Sequence, residues 1–170
     1  MKKRIAFVFP QKGFKEAEFQ KISQFFKYYS VELVNISATR NDAIADSGLT
    51  ITPDLAIPEV DVEDFFGLAV IGSAESYGLP DHNQIISLIQ GFKKGKKVIG
   101  AMGFATGILA EAGVVIGKTV TGSLTEEQNL ITRGANYTGM ECEVDGNIVT
   151  ARDSQSAEMF VKNVAYSLEV

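Results

Sequence analysis

Few side chains in this 170-residue chain could carry covalent or acid–base chemistry. There is one histidine, His82, and one cysteine, Cys142. Cys142 stands between Glu141 and Glu143, whose charges oppose thiolate formation, so a reactive thiol is not expected there. His82 follows Asp81 at the start of a helical pattern, an ordinary place for a surface histidine. Ser73 and Ser76 follow a strand end, but a serine nucleophile needs a base within hydrogen-bond reach and no base adjoins them. No set of His, Cys, Asp and Glu has metal-ligand spacing. The glycines of 100–107 follow neither a phosphate-loop nor a dinucleotide pattern. No metal and no cofactor are expected.

Two positions remain. Glu18 lies four residues before Ile22 and seven before Phe25, on the apolar stripe of a helix that continues through Phe26 and Tyr29. Glu16 projects elsewhere. A carboxylate on an apolar face is costly to ionise, which raises its pKa and suits it to general acid–base work. Periodicity equally allows a solvent-facing acid in the first helical turn, favoured by the helix dipole. The second position is Met102, within Lys97-Val98-Ile99-Gly100-Ala101-Met102-Gly103-Phe104-Ala105-Thr106-Gly107-Ile108-Leu109. This stretch reads as a short buried strand, a tight turn of small residues and the start of a helix. A strand-to-helix elbow of that kind holds one side chain out at the crevice beyond the strand end. Met102 is expected at its tip. A thioether has no proton to lose and is a poor nucleophile.

The elements that position these residues follow from the pattern of apolar runs. Arg4 to Phe9, Val31 to Ile36, Leu68 to Ile71 and Val98 to Met102 are continuous apolar or near-apolar runs, as in parallel strands covered on both faces. Helical periodicity separates them, at Ile22 to Tyr29, at Ile85 to Phe92 after Asp81 as N-cap, and at Ala157 to Leu168. Residues 11–13 and 37–47 read as loops. Leu49 to Thr52 and Lys118 to Thr121 read as short strands, and Thr125 to Ile131 as a short helix. Tyr137 to Val144 and Asn147 to Thr150 flank Asp145-Gly146, a hairpin signal. Alternation of strands and helices along one domain, residues 1–170, predicts an α/β fold: a flavodoxin-like, doubly wound, mostly parallel sheet sandwiched by helices. Ligands then sit beyond the strand C-termini where the winding reverses.

Composition sets outer bounds. A 45% hydrophobic and 22% charged chain is ordinary for a globular protein. A net charge of −5 without a basic stripe argues against nucleic acid or an acidic membrane surface as partner. The cationic run Lys93-Lys94-Gly95-Lys96-Lys97 fits a helix C-terminus. The apolar run Ile5 to Phe9 is shorter than the roughly 7–15 residues of a signal peptide core and far short of the ~20 of a membrane span. A lone cysteine fits a reducing cytoplasm.

The order and spacing of several segments resemble the ThiJ/PfpI family, a group of deglycase, glyoxalase, chaperone and amidase or intracellular protease-like proteins with a glutamine amidotransferase-like fold. The carriers are Gly13-Phe14-Lys15-Glu16-Ala17-Glu18, Gly48-Leu49-Thr50-Ile51-Thr52-Pro53-Asp54, the strand Leu68 to Ile71, Gly95 to Ala101 leading into the elbow, and Asn147 to Arg152. The resemblance covers essentially the whole chain and favours a buried Glu18. It implies a cysteine at the elbow tip, hydrogen-bonded to a protonated glutamate, with glycine amides at the preceding strand end as an oxyanion hole. Carried over, the glutamate is Glu18, the nucleophile position is Met102 and the next residue, where the resemblance often implies a histidine or alanine, is Gly103. The strand terminus becomes Gly72-Ser73-Ala74, and a second family histidine falls near Gly122 or Ser123. The thiol and both histidines are thus absent. The expectation is a catalytically degenerate binding or stress-response protein, a cytoplasmic homodimer. Its crevice for a small carbonyl or carboxylate ligand would be lined by Glu18, Gly72, Ser73, Ala74, Met102, Gly103 and Phe104. The alternative is a cofactor-free glyoxalase, deglycase or amidase-type enzyme using Glu18 as general acid/base.

Overall fold

The computed structural model describes residues 1–74 and 81–170. The chain begins with β1 (Lys3–Val8), a three-residue β2 (Lys12–Phe14) and α1 (Glu16–Phe26). Strands β3 (Val31–Ser37), β4 (Ala43–Ala45), β5 (Thr50–Ile51), β6 (Leu55–Ala56) and β7 (Gly67–Val70) precede α2 (His82–Lys94). The elbow joins β8 (Val98–Met102) to α3 (Ala105–Glu111). After it come β9 (Thr119–Val120), α4 (Glu127–Thr132), β10 (Asn136–Tyr137), β11 (Cys142–Asp145), β12 (Ile148–Ala151) and α5 (Ala157–Ser167).

Seven strands form the central sheet in the order β11-β12-β8-β7-β1-β3-β6. All its pairs are parallel except the β11–β12 hairpin, which turns at Asp145-Gly146. From β1 the chain steps outward to β3, then returns to β7 on the other flank and continues to β8 and β12. That reversal opens a crevice past the strand C-termini.

Side chains alternate across the sheet and sort into two layers. Ala6, Val8, Leu68, Val70, Ile99 and Ala101 pack with α2 and α3 through Ile85, Ile89, Phe92, Ile108 and Leu109. Ile5, Phe7, Ala69, Ile71, Val98 and Met102 pack with α1 and α5 through Phe19, Ile22, Phe160 and Val164. Mid-strand Gly100 lets α5 approach: a β-carbon there would stand 2.8 Å from Phe160 Cζ.

Local details depart from the sequence reading. Residues 12–14 and 43–45 are strands of a small sheet, β2-β4-β5, rather than loops. The run from Tyr137 breaks into β10 and β11, because Gly139 adopts a left-handed φ of +70° between them. Asp81 stands at the N-cap of α2, yet its side chain does not cap the helix. Its Oδ2 accepts from the Gln11 amide at 2.8 Å, tying the start of α2 to the loop after β1. Among the described residues no helix is long and apolar enough to cross a membrane.

Candidate functional site

The bend after β8 falls one residue later than the sequence suggested. Met102 is the last residue of the strand, paired with Ala151, and is fully buried in the layer under α1 and α5. The chain is still in the sheet at this point, so alternation aims the methionine into the core. Reversal takes place at Gly103, with φ +61°. A left-handed backbone costs an L-residue roughly 1–2 kcal/mol, and glycine adopts it without that penalty. Hydrogen bonds at Gly103 fix the turn, one of them from the Thr106 amide to Gly103 O at 3.4 Å. The Gly103 amide donates to Ala151 O at 3.0 Å, and Gly103 O accepts from Thr106 Oγ1 at 2.9 Å and from the Ser123 amide at 3.3 Å. The tip of the elbow is therefore Gly103, not Met102, and it carries no side chain.

Glu18 meets this bend from the first turn of α1. It shares the buried stripe of that helix with Phe19, Ile22 and Phe26, which excludes the solvent-facing alternative. Its carboxyl group lies over Gly103: a β-carbon on that residue would stand 2.9 Å from Glu18 Oε2 and 3.3 Å from Oε1. The acid thus abuts the space an elbow side chain would enter. Oε1 is buried without a hydrogen-bond partner among the described residues. Burial pushes the carboxyl pKa up to about 8, Lys15 opposes the rise, and Asp46 and Asp153 add to it. Glu18 is consequently a protonated acid at neutral pH, able to donate a hydrogen bond.

A cavity of about 350 Å³ opens over this acid. Glu18, Gly103, Phe104 and Ser123 line it, with Lys15 and Ala17 ahead of the acid, Asp46 after β4, and Arg152, Asp153 and Ser154 after β12. Lys15 Nζ sits 5.4 Å from the Phe104 ring centroid and 3.9 Å from Asp46 Oδ2. Arg152 donates from Nε to Asp153 Oδ2 at 3.2 Å and from Nη1 to Gly139 O at 3.4 Å. The sequence pointed to Glu18, Gly103 and Phe104 as lining residues. It missed Lys15, Asp46, Asp153 and Ser154 in that role, and Arg152 stood out only within the stretch before the last helix.

The other candidates lie elsewhere. Gly72, Ser73 and Ala74 do not line the cavity; Ser73 is buried beneath the Gly13 turn, where a β-carbon on Gly13 would stand 3.4 Å from its own. Ser76 falls outside the described residues. Gly122, against which Thr106 packs, leaves no room for a side chain, since a β-carbon there would meet Thr106 Oγ1 at 2.0 Å. His82 pairs with Glu111, joining the start of α2 to the end of α3. Cys142 is half-buried and accepts from Asn163 Nδ2 at 3.2 Å. Its thiol pKa is raised, chiefly by burial, with Glu143 adding to the rise. Among the described residues no group of three or more His, Cys, Asp or Glu side chains could hold a metal ion.

Among the described residues the site therefore offers a neutral acid, two cations, two carboxylates, two hydroxyls and an aromatic face, with no cysteine or histidine. Comparison with known proteins fits this architecture. A model of the DJ-1/PfpI family matches residues 3–166. An uncharacterized protein of Methanocaldococcus jannaschii is 26% identical over 169 residues, 98% of this chain and 82% of that one. A deglycase of Thermococcus kodakarensis is 26% identical over 121 residues, 71% of this chain and 73% of its own. The crystal structure of a ThiJ/PfpI domain protein from Brachyspira murdochii shares the fold at a TM-score of 0.92 and 24% identity, covering 99% of this chain and 98% of that one. Matched from its first strand to its last helix, this chain belongs to the DJ-1/PfpI family.

Proposed function

We propose that this protein is a member of its family without cysteine-dependent chemistry, and that it binds a small carbonyl or carboxylate compound in the crevice over Glu18. One observation carries the reading. At the bend where the family resemblance calls for a thiol there is a glycine, with the buried acid lying directly against it. Covalent catalysis needs a nucleophile and a base that activates it, and among the described residues the cavity lining has no cysteine or histidine to form such a pair. Ser123 Oγ is hydrogen-bonded to Thr125 Oγ1 at 2.9 Å. The protonated acid, the aromatic ring and the cations remain as a recognition surface. Family membership also supports a cytoplasmic homodimer with a role in stress response, and we include both in the proposal; sedimentation velocity tests the dimer.

A second reading rests on the acidity of Glu18. With a pKa of about 8, the group can give and take a proton near neutrality, as general acid–base catalysis on a carbonyl compound requires. Without a partner base, such a group contributes about 10²–10⁴-fold. Assays of the wild type against glyoxals, small amides and peptides, beside Glu18→Ala and Gly103→Cys, separate the two. The first reading expects no wild-type turnover and a gain only in Gly103→Cys. Wild-type turnover that disappears in Glu18→Ala establishes the second.

A further inference from the structure

We infer that the open edge of β3 is a docking site for an extended, acidic peptide segment. The segment adds to the central sheet as a further strand and sets one apolar side chain into the cavity between β3 and α1. That cavity shares no lining residue with the crevice over Glu18.

Strand β3 is seven residues long, yet its outer neighbour β6 pairs only with Ile36 and Ser37. Asp54 covers one residue more. Its amide donates to Asn35 O and its Oδ2 accepts from the Asn35 amide, both at 2.8 Å. In a parallel ladder one residue turns both backbone groups to one neighbouring strand, and the next residue turns them to the other. The Phe9 amide donates to Ile36 O at 3.1 Å, so Ile36, Val34 and Glu32 face β1 while Asn35, Leu33 and Val31 face outward. The Val31 amide is taken by Tyr29 O at 2.8 Å. Among the described residues the Leu33 N–H, the Leu33 C=O and the Val31 C=O are left without a hydrogen bond. A row of this kind is what a strand from another chain pairs with.

The side chains beside this edge define the partner. Val31 and Leu33 belong to the layer of α1 and Phe26, whereas Val34 and Ile36 lie in the opposite one. With Lys2, Lys27 and Asn35, those three residues on the α1 side line a cavity of about 330 Å³. A residue added opposite Leu33 shares its face, about 4.8 Å away, so its side chain enters that cavity, where Phe26 and Leu33 suit an apolar group. Asn35 Oδ1 is buried without a hydrogen-bond partner among the described residues, a further unmet polar group at the edge. The charge is one-sided, since Lys2 and Lys27 line the cavity and no acidic side chain does. Glu32, on the opposite face, is paired with Arg4 at 3.6 Å. The two lysines favour acidic residues on either side of the apolar anchor. They disfavour a second copy of this chain, whose own Lys2 and Lys27 would meet them across an antiparallel pairing centred on Leu33.

Fluorescence anisotropy of the whole chain with the labelled peptide Glu-Val-Leu-Val-Glu tests the inference, because its leucine and both glutamates share one face of a strand. The peptide Lys-Val-Leu-Val-Lys is the charge control. The acidic peptide is expected to bind at least about tenfold more tightly than the basic one, and Lys2→Glu or Lys27→Glu to weaken it by about tenfold. Both substitutions are at exposed positions, and thermal melts confirm that the variants fold. Amide hydrogen exchange read by NMR reports the backbone pairing: the Leu33 amide exchanges rapidly in the free protein and slows about tenfold or more at saturating peptide. No binding of the acidic peptide, equal affinity for both peptides, or binding that leaves Leu33 exchange unchanged overturns the inference. Leu33 protection that grows with protein concentration in the absence of peptide also overturns it, and assigns the edge to a second copy of the chain.

Discussion

Glu18 and Glu59 belong to the same short chain, yet one holds its proton to about pH 8 and the other releases it at about 2. Glu59 lies on the surface in a short helical turn at residues 57–59. Arg40 grips it through Nε and Nη2, both at 2.7 Å, and the Ala56 amide donates to it at 2.7 Å. Those hydrogen bonds hold its carboxyl far below the usual range although it lies at the surface. Glu18 has the opposite surroundings: no hydrogen-bond partner for Oε1 among the described residues, and apolar neighbours along its helix. Position in the fold, rather than residue type, decides which carboxylate is a counter-ion and which is a neutral donor.

The largest test of this contrast is Glu18→Gln. Unfolded, Glu18 ionises near its ordinary 4.5; folded, near 8. Between those values the native state binds the extra proton, so stability falls as pH rises through the window and is level above it. A neutral amide of the same shape removes that slope. Urea denaturation should show the variant within about 1 kcal/mol of wild type at pH 5, and more stable at pH 9 by several kcal/mol, at most about 5. Equal slopes in both proteins would break the comparison.

Next in size is Gly103→Ala, which imposes a strained left-handed backbone and crowds the acid. A loss of about 2–3 kcal/mol at pH 5 is expected from urea denaturation. Gly48→Ala is its control, because Gly48 has φ +93° and a β-carbon there would meet nothing within 4 Å. The excess loss at Gly103 measures the contact with Glu18.

Smaller still is Lys15→Ala. Lys15 is the one charge that lowers the Glu18 pKa, so its removal should move that pKa upward in a carboxyl ¹³C NMR titration. Smallest is Arg40→Ala, which should return the Glu59 pKa toward the ordinary range in the same experiment while scarcely moving the unfolding midpoint at pH 7. The stabilising effect of Glu59 is present above the ordinary carboxylate pKa and is lost as pH falls toward 2.

Much of the fold was legible because buried parallel strands advertise themselves as apolar runs, and α1 shows its inner face through the spacing of Glu18, Ile22 and Phe26. The elbow was misread by one position because Ala101-Met102 continues the run without marking where the strand stops. Gly103 was the available signal, since a reversal that needs positive φ favours the one residue lacking a β-carbon. Asp46, Arg152 and Asp153 reach the cavity from two distant loops, and no local pattern records that meeting. The same holds for Arg40 and Glu59, nineteen residues apart. Asp81 looked like a cap from its place before a helix, and tertiary structure recruited it to the Gln11 amide instead.

The bare glycine at the bend also decides what a sulfur-seeking reagent would find. An alkylating label such as iodoacetamide has one cysteine to react with, on the outermost strand of the sheet, so any adduct would report on that rim and leave the cleft unmarked.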